Sequence, residues 1–231
     1  MPGKLGTFLL IAATALSTGL SAAAAQAEVT FTVPKLGGSI EGQRTGSDRF
    51  LSDGIEVGCG GVSYRAAPEG NSRTIEIEPE FYECAAKGLS GLPADFFQED
   101  CAFLLHDVKH VPGVERWKAG GVGIRCHGGY TAIGWTIFET EKKYEEVRQL
   151  CSTRIPQQID GGTAELSNLA GPRGGIEVHW DLDKLEYRVV YGSSIFCGPM
   201  LGLRRGTSYK GSARVFGKDF AGHPAKFEMS G

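Results

Sequence analysis

Short apolar runs that alternate with polar residues at a period of two, set between 34 glycines, constrain this chain more than any other feature. That period sends successive side chains to opposite faces of a strand, so each run describes a sheet with one wet face and one buried face. In Thr74-Ile-Glu-Ile-Glu-Pro-Glu80, Ile75 and Ile77 point one way and Glu76 and Glu78 the other. Pro79, which has no N–H to give a ladder, is expected to end that strand or mark an edge. The runs 175–180 and 185–191 flank Asp181-Leu-Asp-Lys184, a polar stretch that reads as the turn of a hairpin burying Ile176, Val178 and Trp180. A second hairpin is expected from 209–216 and 223–229, turned around 218–222. Further strands are expected at 29–33, 55–64, 102–108, 122–126 and 131–138. The charged stretch 139–150 fits a short helix or a charged loop equally well, because Tyr144, Val147 and Leu150 recur at intervals of three among helix-forming residues. Strand-rich text of this kind predicts an all-β fold, an antiparallel sandwich or barrel built from hairpins and cross-linked by disulfides.

The first 27 residues set the compartment. Lys4 precedes an apolar run from Leu5 to Leu20, and Ala25-Gln-Ala27 fits a signal-peptidase cut before Glu28. The expectation is a signal peptide over 1–27 and an exported β-rich domain over 28–231, with a possible subdivision near 112. All six cysteines, Cys59, Cys84, Cys101, Cys126, Cys151 and Cys197, lie downstream of the cut, and an even number in an exported chain reads as disulfides. Six cysteines admit many pairings, of which the sequential one is the simplest. Cys59 and Cys84 share their spacing with Cys126 and Cys151, a hint of a duplicated β unit. The formal net charge is −3 and no Lys/Arg cluster appears, which argues against nucleic acid as a partner. After the leader no other stretch approaches the length of apolar chain that a membrane-spanning helix requires.

Several short signatures occur in one order: Pro79-Glu-Phe-Tyr-Glu-Cys84, Cys101-Ala-Phe-Leu-Leu-His106, Val122-Gly-Ile-Arg-Cys126, Cys151-Ser-Thr-Arg-Ile-Pro-Gln157, and Tyr209-Lys-Gly-Ser-Ala-Arg-Val-Phe-Gly-Lys-Asp219 with Gly222. In this the chain resembles a group of secreted bacterial all-β proteins of similar length, best known from soil bacteria, to which no activity is assigned. The resemblance covers roughly residues 54–227. It implies a secreted all-β protein with a cysteine framework and carries no activity with it.

Candidate chemistry is sparse. Glu76, Glu78 and Glu80 are spaced along a strand at about 6.6 Å, near the separation of the two carboxylates in an inverting glycosidase, although a solvated strand face carries the same pattern. His106 and His110 have zinc-helix spacing but fall in a segment that reads as strand, about 13 Å apart. Asp181 and Asp183 suit either calcium or the capping of their own turn. Cysteines held in bridges offer no thiolate. No Gly-x-Ser-x-Gly elbow or phosphate-cradling loop occurs, and Gly120-Gly-Val-Gly123 lacks the later glycine of a dinucleotide fingerprint. Trp117, set among Glu115, Arg116 and Lys118, is the aromatic least tied to a core and the candidate ligand-binding residue, whereas Trp135 reads as core. The function expected is that of a secreted or envelope-associated, non-enzymatic structural or binding protein, with no cofactor or metal. Its partner would be cell-wall polysaccharide or an extracellular protein. The alternative is a secreted, glycosidase-like hydrolase using the three glutamates.

Overall fold

The computed structural model describes residues 29–32, 38–66, 72–98, 100–129, 131–139, 148–192, 197–198, 200 and 202–231. The expected leader and most of the charged stretch 139–150 lie outside the described residues; Gln149 and Leu150 belong to a strand. After a short strand β1 (Thr30–Thr32), the chain rises and falls as eight staves. These are β2 (Ser39–Arg44) continued by β3 (Arg49–Ser52), β4 (Ile55–Ala66), β5 (Ile75–Ala86), β6 (Leu92–Phe97) continued by β7 (Cys101–His110), β8 (Trp117–Cys126) continued by β9 (Ala132–Phe138), β10 (Gln149–Pro156) continued by β11 (Gln158–Asn168), β12 (Ile176–Gly192) and β13 (Arg204–Lys218). Each stave pairs antiparallel with the next, and β13 pairs with both β2 and β3, so the sheet returns to its first stave and closes. A closed sheet has no unpaired edge to satisfy. The fold is the expected all-β class, in the form of an up-and-down barrel.

Four staves are interrupted at mid-height. The breaks fall at 45–48, 98–100, 127–131 and Gln157, where the backbone turns to local partners: Thr45 N–H donates to Ser212 O, His127 N–H to Asp100 O, and Cys126 N–H to the Gln157 side chain. The other four staves cross the same level unbroken, and the β12–β13 pair is bulged there. Between Leu182 and Leu185 the register of β12 shifts, so Ile176, Val178, Trp180 and Leu182 face inward above the bulge and Leu185, Tyr187 and Val189 below it. This corrects the expected hairpin, because Asp181–Lys184 is no turn and β12 runs straight through it. The polar pair Asp183-Lys184 is absorbed as a bulge, which exposes two successive side chains without ending the strand. Pro79 likewise ends nothing. It sits inside β5 opposite Tyr64, between the β5 residues that pair with β7 (75–77) and those that pair with β6 (84–86), where the neighbouring stave asks for no N–H.

The bridges are sequential: Cys59–Cys84, Cys101–Cys126 and Cys151–Cys197. The first two join direct register partners on adjacent staves, and the third ties the segment between β12 and β13 to β10. Cys126 and Cys151 are not partners; the two bridges of equal separation, 25 residues, are Cys59–Cys84 and Cys101–Cys126. Three bridges belong to a chain that matures in an oxidising environment. The subdivision expected near 112 is replaced by continuity, since Pro112 stands in the connection between β7 and β8, whose pairing includes His110 opposite Trp117. Of the second expected hairpin the turn and a two-residue ladder form: β13 turns at 218–223 into β14 (Pro224–Ala225), which pairs with Gly217 and Lys218, whereas 209–216 pairs with β12, β2 and β3 and β15 (Glu228–Ser230) pairs with β1. Phe31, Phe227 and Met229 from this terminal ribbon are buried, and Asn168 holds the Met229 backbone through both its side-chain oxygen and nitrogen.

Aromatic rings fill the barrel as a column. From Trp135 the contacts run to Phe50 at 5.4 Å, Tyr209 at 4.6 Å, Phe103 at 5.2 Å, Trp180 at 5.2 Å and Tyr64 at 6.4 Å. Phe50 also touches Phe81 and Phe96, which makes it the hub. Phe50→Ala is therefore expected to destabilise the fold by about 3–5 kcal/mol in denaturant melts. Phe220→Ala, at a ring 87% exposed, should change stability by less than about 0.5 kcal/mol.

Candidate functional site

A hollow of about 800 Å³ lies on the outside of the barrel, over β4, β2 and β13. Its walls follow from the register of three neighbouring strands. Arg65, Glu41 and Phe216 form one cross-strand row, and Ser63, Gln43 and Arg214 the next. All of these sit at alternate positions on their strands and so face outward together. Thr45 and Lys218 lie at the two ends, and Arg44 and Tyr64 complete the lining. Phe216 keeps 40% of its surface exposed. Its ring lies over Gly175, where a Cβ would come within 2.7 Å of it, so only glycine leaves this platform flat against the barrel wall.

Carboxylates surround the hollow more than they enter it. Arg65 pairs with Glu80 at 2.8 Å and Arg214 with Glu177 at 3.0 Å, yet Glu80 and Glu177 line two smaller neighbouring hollows. The lining itself carries Arg44, Arg65, Arg214 and Lys218 against a single acid, Glu41, which Lys218 holds at 2.5 Å.

Beneath the hollow lies a buried polar cluster. Asp48, 2% exposed, enters the barrel from the break between β2 and β3. Its Oδ1 accepts from Tyr209 at 2.5 Å and Tyr64 at 3.0 Å, the two hydroxyls are 2.9 Å apart, and Oδ2 has no partner. Three oxygen contacts need three protons, and an ionised Asp48 with two tyrosines supplies two. A proton on Asp48 Oδ1 would supply the third if Oδ1 donated to one tyrosine, whose own proton would then serve the contact between the two hydroxyls. Burial pushes the Asp48 carboxyl above its ordinary value of 3.8, against the two tyrosine hydrogen bonds and the Arg44 charge, which favour the anion. Burial first, then neighbouring negative charge, drives Tyr209 well above its usual range; Tyr64 rises likewise, from burial and the Asp48 charge. Gly211 makes room for the cluster, since a Cβ there would meet Asp48 Oδ1 and the Tyr209 hydroxyl. Arg44 links the two levels by donating to Cys59 O at 2.7 Å.

The residues singled out in the sequence are dispersed. Trp117 is buried in β8 with 8% exposure, its ring against His110 at 5.5 Å and its indole N–H enclosed without a partner. It belongs to the core and offers no accessible face, which corrects the expectation of a surface platform. Charged neighbours in the sequence misled because Lys118 points to the other face of β8 while Glu115 and Arg116 lie in the exposed connection before it. Glu76 receives Arg125 and His127, each at 2.7 Å. Glu78 and Glu80 line a hollow of about 300 Å³ with Asp100 and Gln98, and Glu80 is held by Arg65 and Ser63. His106 contacts Asp107 and Ile159 O while His110 packs on Trp117, so the two do not converge. Asp181 pairs with Lys210 across the sheet. Among the described residues no three His, Cys, Asp or Glu side chains are placed to hold a metal. Arg44, Arg65, Arg214, Phe216 and Lys218 escaped sequence reasoning, since nothing local says that three strands so far apart in the chain are neighbours.

No family model matches this chain, and no curated protein or solved structure does.

Asp48 generates a pH prediction. A carboxyl whose pKa is raised by folding contributes stability below its ordinary value of 3.8, and that contribution is lost as pH rises through the folded value. Asp48→Asn cannot titrate. In paired thermal melts the advantage of the native protein over Asp48→Asn should therefore be largest below about pH 3.8 and shrink toward neutrality. A difference that stays constant with pH would refute titration of this group.

Proposed function

We propose that this is an exported, non-enzymatic protein of the cell envelope or extracellular space that binds polysaccharide on the outside of its barrel. The observation that carries the reading is the β4–β2–β13 hollow. There a half-exposed aromatic ring stands beside the hydrogen-bonding side chains Gln43, Thr45 and Ser63, a pairing suited to a sugar's apolar face and its hydroxyls. The barrel interior is filled by the ring column, which leaves recognition to the outer surface. Export is supported by the leader-like first 27 residues and by the three bridges. Among the described residues no helix is long and apolar enough to cross a membrane.

A carboxylate-dependent hydrolase is the second reading, favoured by Glu78 and Glu80 lining one hollow. Against it, Glu80 Oε2 is already engaged by Arg65 at 2.8 Å and by the Ser63 hydroxyl at 3.2 Å, which leaves that oxygen tied to the barrel wall. No release of reducing sugar by the native protein, or release that Glu78→Gln leaves unchanged, would leave that reading without support.

Phe216→Ala should lower retention on insoluble cell-wall polysaccharide about tenfold while leaving the melting temperature within about 2 °C of the native value. Unchanged retention would remove the hollow as the binding face.

A further inference from the structure

We infer that the ligand of this hollow is an acidic polysaccharide, whose repeating anionic groups are read by Arg65, Arg214 and Lys218 around Phe216, with Arg44 completing the lining. The inference rests on the reading of the hollow as a sugar-binding face and adds the charge of the sugar. Its ground is how charge is divided over the outer barrel. The protein as a whole is acidic, with a formal net charge of −3, but the hollow gathers four cations and one carboxylate. The acids that pair with Arg65 and Arg214 line the flanking hollows and not this one: Glu80 stands with Glu78 and Asp100 in a hollow that Arg65 also borders, and Glu177 stands with Glu165, Arg116 and His179. A neutral polymer entering here would leave those cations desolvated and their second faces unpaired. An anionic one supplies each with a charge-assisted hydrogen bond.

The geometry adds a spacing. Arg65 and Phe216 flank Glu41 in one row, two inter-strand steps apart, which is about 10 Å. An anionic ligand along this row meets a guanidinium on β4, an aromatic ring on β13, and Arg214 diagonally beside it. Glu41 is the one group in its path that repels it. Lys218, now held by Glu41, turns to the ligand when that acid is neutralised.

The test is a set of titrations on the full disulfide-bonded protein with polygalacturonate, dextran sulfate, fully methyl-esterified polygalacturonate and dextran. The acidic pair should bind and the uncharged pair should bind at least about tenfold more weakly, with the acidic binding weakened about tenfold or more between about 0.05 and about 0.5 M NaCl. The two acidic polymers separate carboxylate from sulfate as the anion preferred. Arg214→Ala and Arg65→Ala should each weaken binding about tenfold. Arg116→Ala, outside the hollow, should change nothing. Glu41→Gln should tighten binding about threefold, a gain that loss of folding cannot produce. Equal binding of the methyl ester and the acid, with Phe216→Ala weakening both, overturns the acidic ligand and leaves the sugar-binding face standing. No binding of any of the four polymers or of cell-wall material, with Phe216→Ala without effect, overturns both. Tighter acid binding that Arg214→Ala and Arg65→Ala leave unchanged places the anion site elsewhere and also overturns the inference.

Discussion

The pairing of β13 with β2 and β3 is the constraint on which the rest of this structure hangs. Without it the sheet is an open ribbon of eight staves with two long edges, each a template for association. With it every stave has two neighbours, the inward faces enclose one core, and the outward faces of the first, second and last staves become adjacent. Lys218 and Glu41 meet across 177 residues of sequence because of this seam. The seam is also where the structure is most particular. The stave facing β13 breaks at 45–48, and Asp48 enters the barrel through the break.

Closure creates a filling problem that the aromatic residues solve. Rings contributed by β9, β3, β13, β7, β12 and β4 form one column through the body of the barrel, and offset or tilted contacts suit their quadrupoles better than face-to-face stacking. Staves of up to 17 residues cannot stay in phase with such a core without correction. The left-handed backbone at Glu83 in β5 (φ 54°) and the bulge at Asp183-Lys184 in β12, together with the mid-height breaks, reset which side chains face inward. The bridges Cys59–Cys84 and Cys101–Cys126 then clamp neighbouring staves in register.

The same closure sorts charge on the outside. Cross-strand pairing would by itself produce a neutral lattice of ion pairs, as in Arg65 with Glu80 and Arg214 with Glu177. The small side chains of Ser63, Gln43 and Thr45 between the larger ones open a depression in that lattice. Its walls include the cation of each pair, Arg65 being shared with the neighbouring depression, while the acids Glu80 and Glu177 line only the neighbouring ones. Function, on this account, belongs to a surface that exists only after the first and last staves meet.

Strand content, the identity of most inward residues and an oxidising compartment were legible in the chain, because alternation and cysteine count are local properties. Ile75 and Ile77, Ile176, Val178 and Trp180, and Trp135 all face the core as their spacing indicates. Reading went wrong where a local signal has two structural uses. Asp181–Lys184 suits a turn and a bulge alike, Pro79 suits a strand end and a gap in the neighbouring stave, and Trp117 among charged residues suits either face of a strand. By itself the sequence determined that this protein is a set of antiparallel strands with one apolar face each, crosslinked by its sulfurs, since those features depend on residues near one another. Only the tertiary structure decided that the strands close into a barrel and that Arg65, Glu41, Phe216 and Arg214 share one hollow. Register between strands 150 residues or more apart is set by the packing of the whole core, and no short window of sequence contains it.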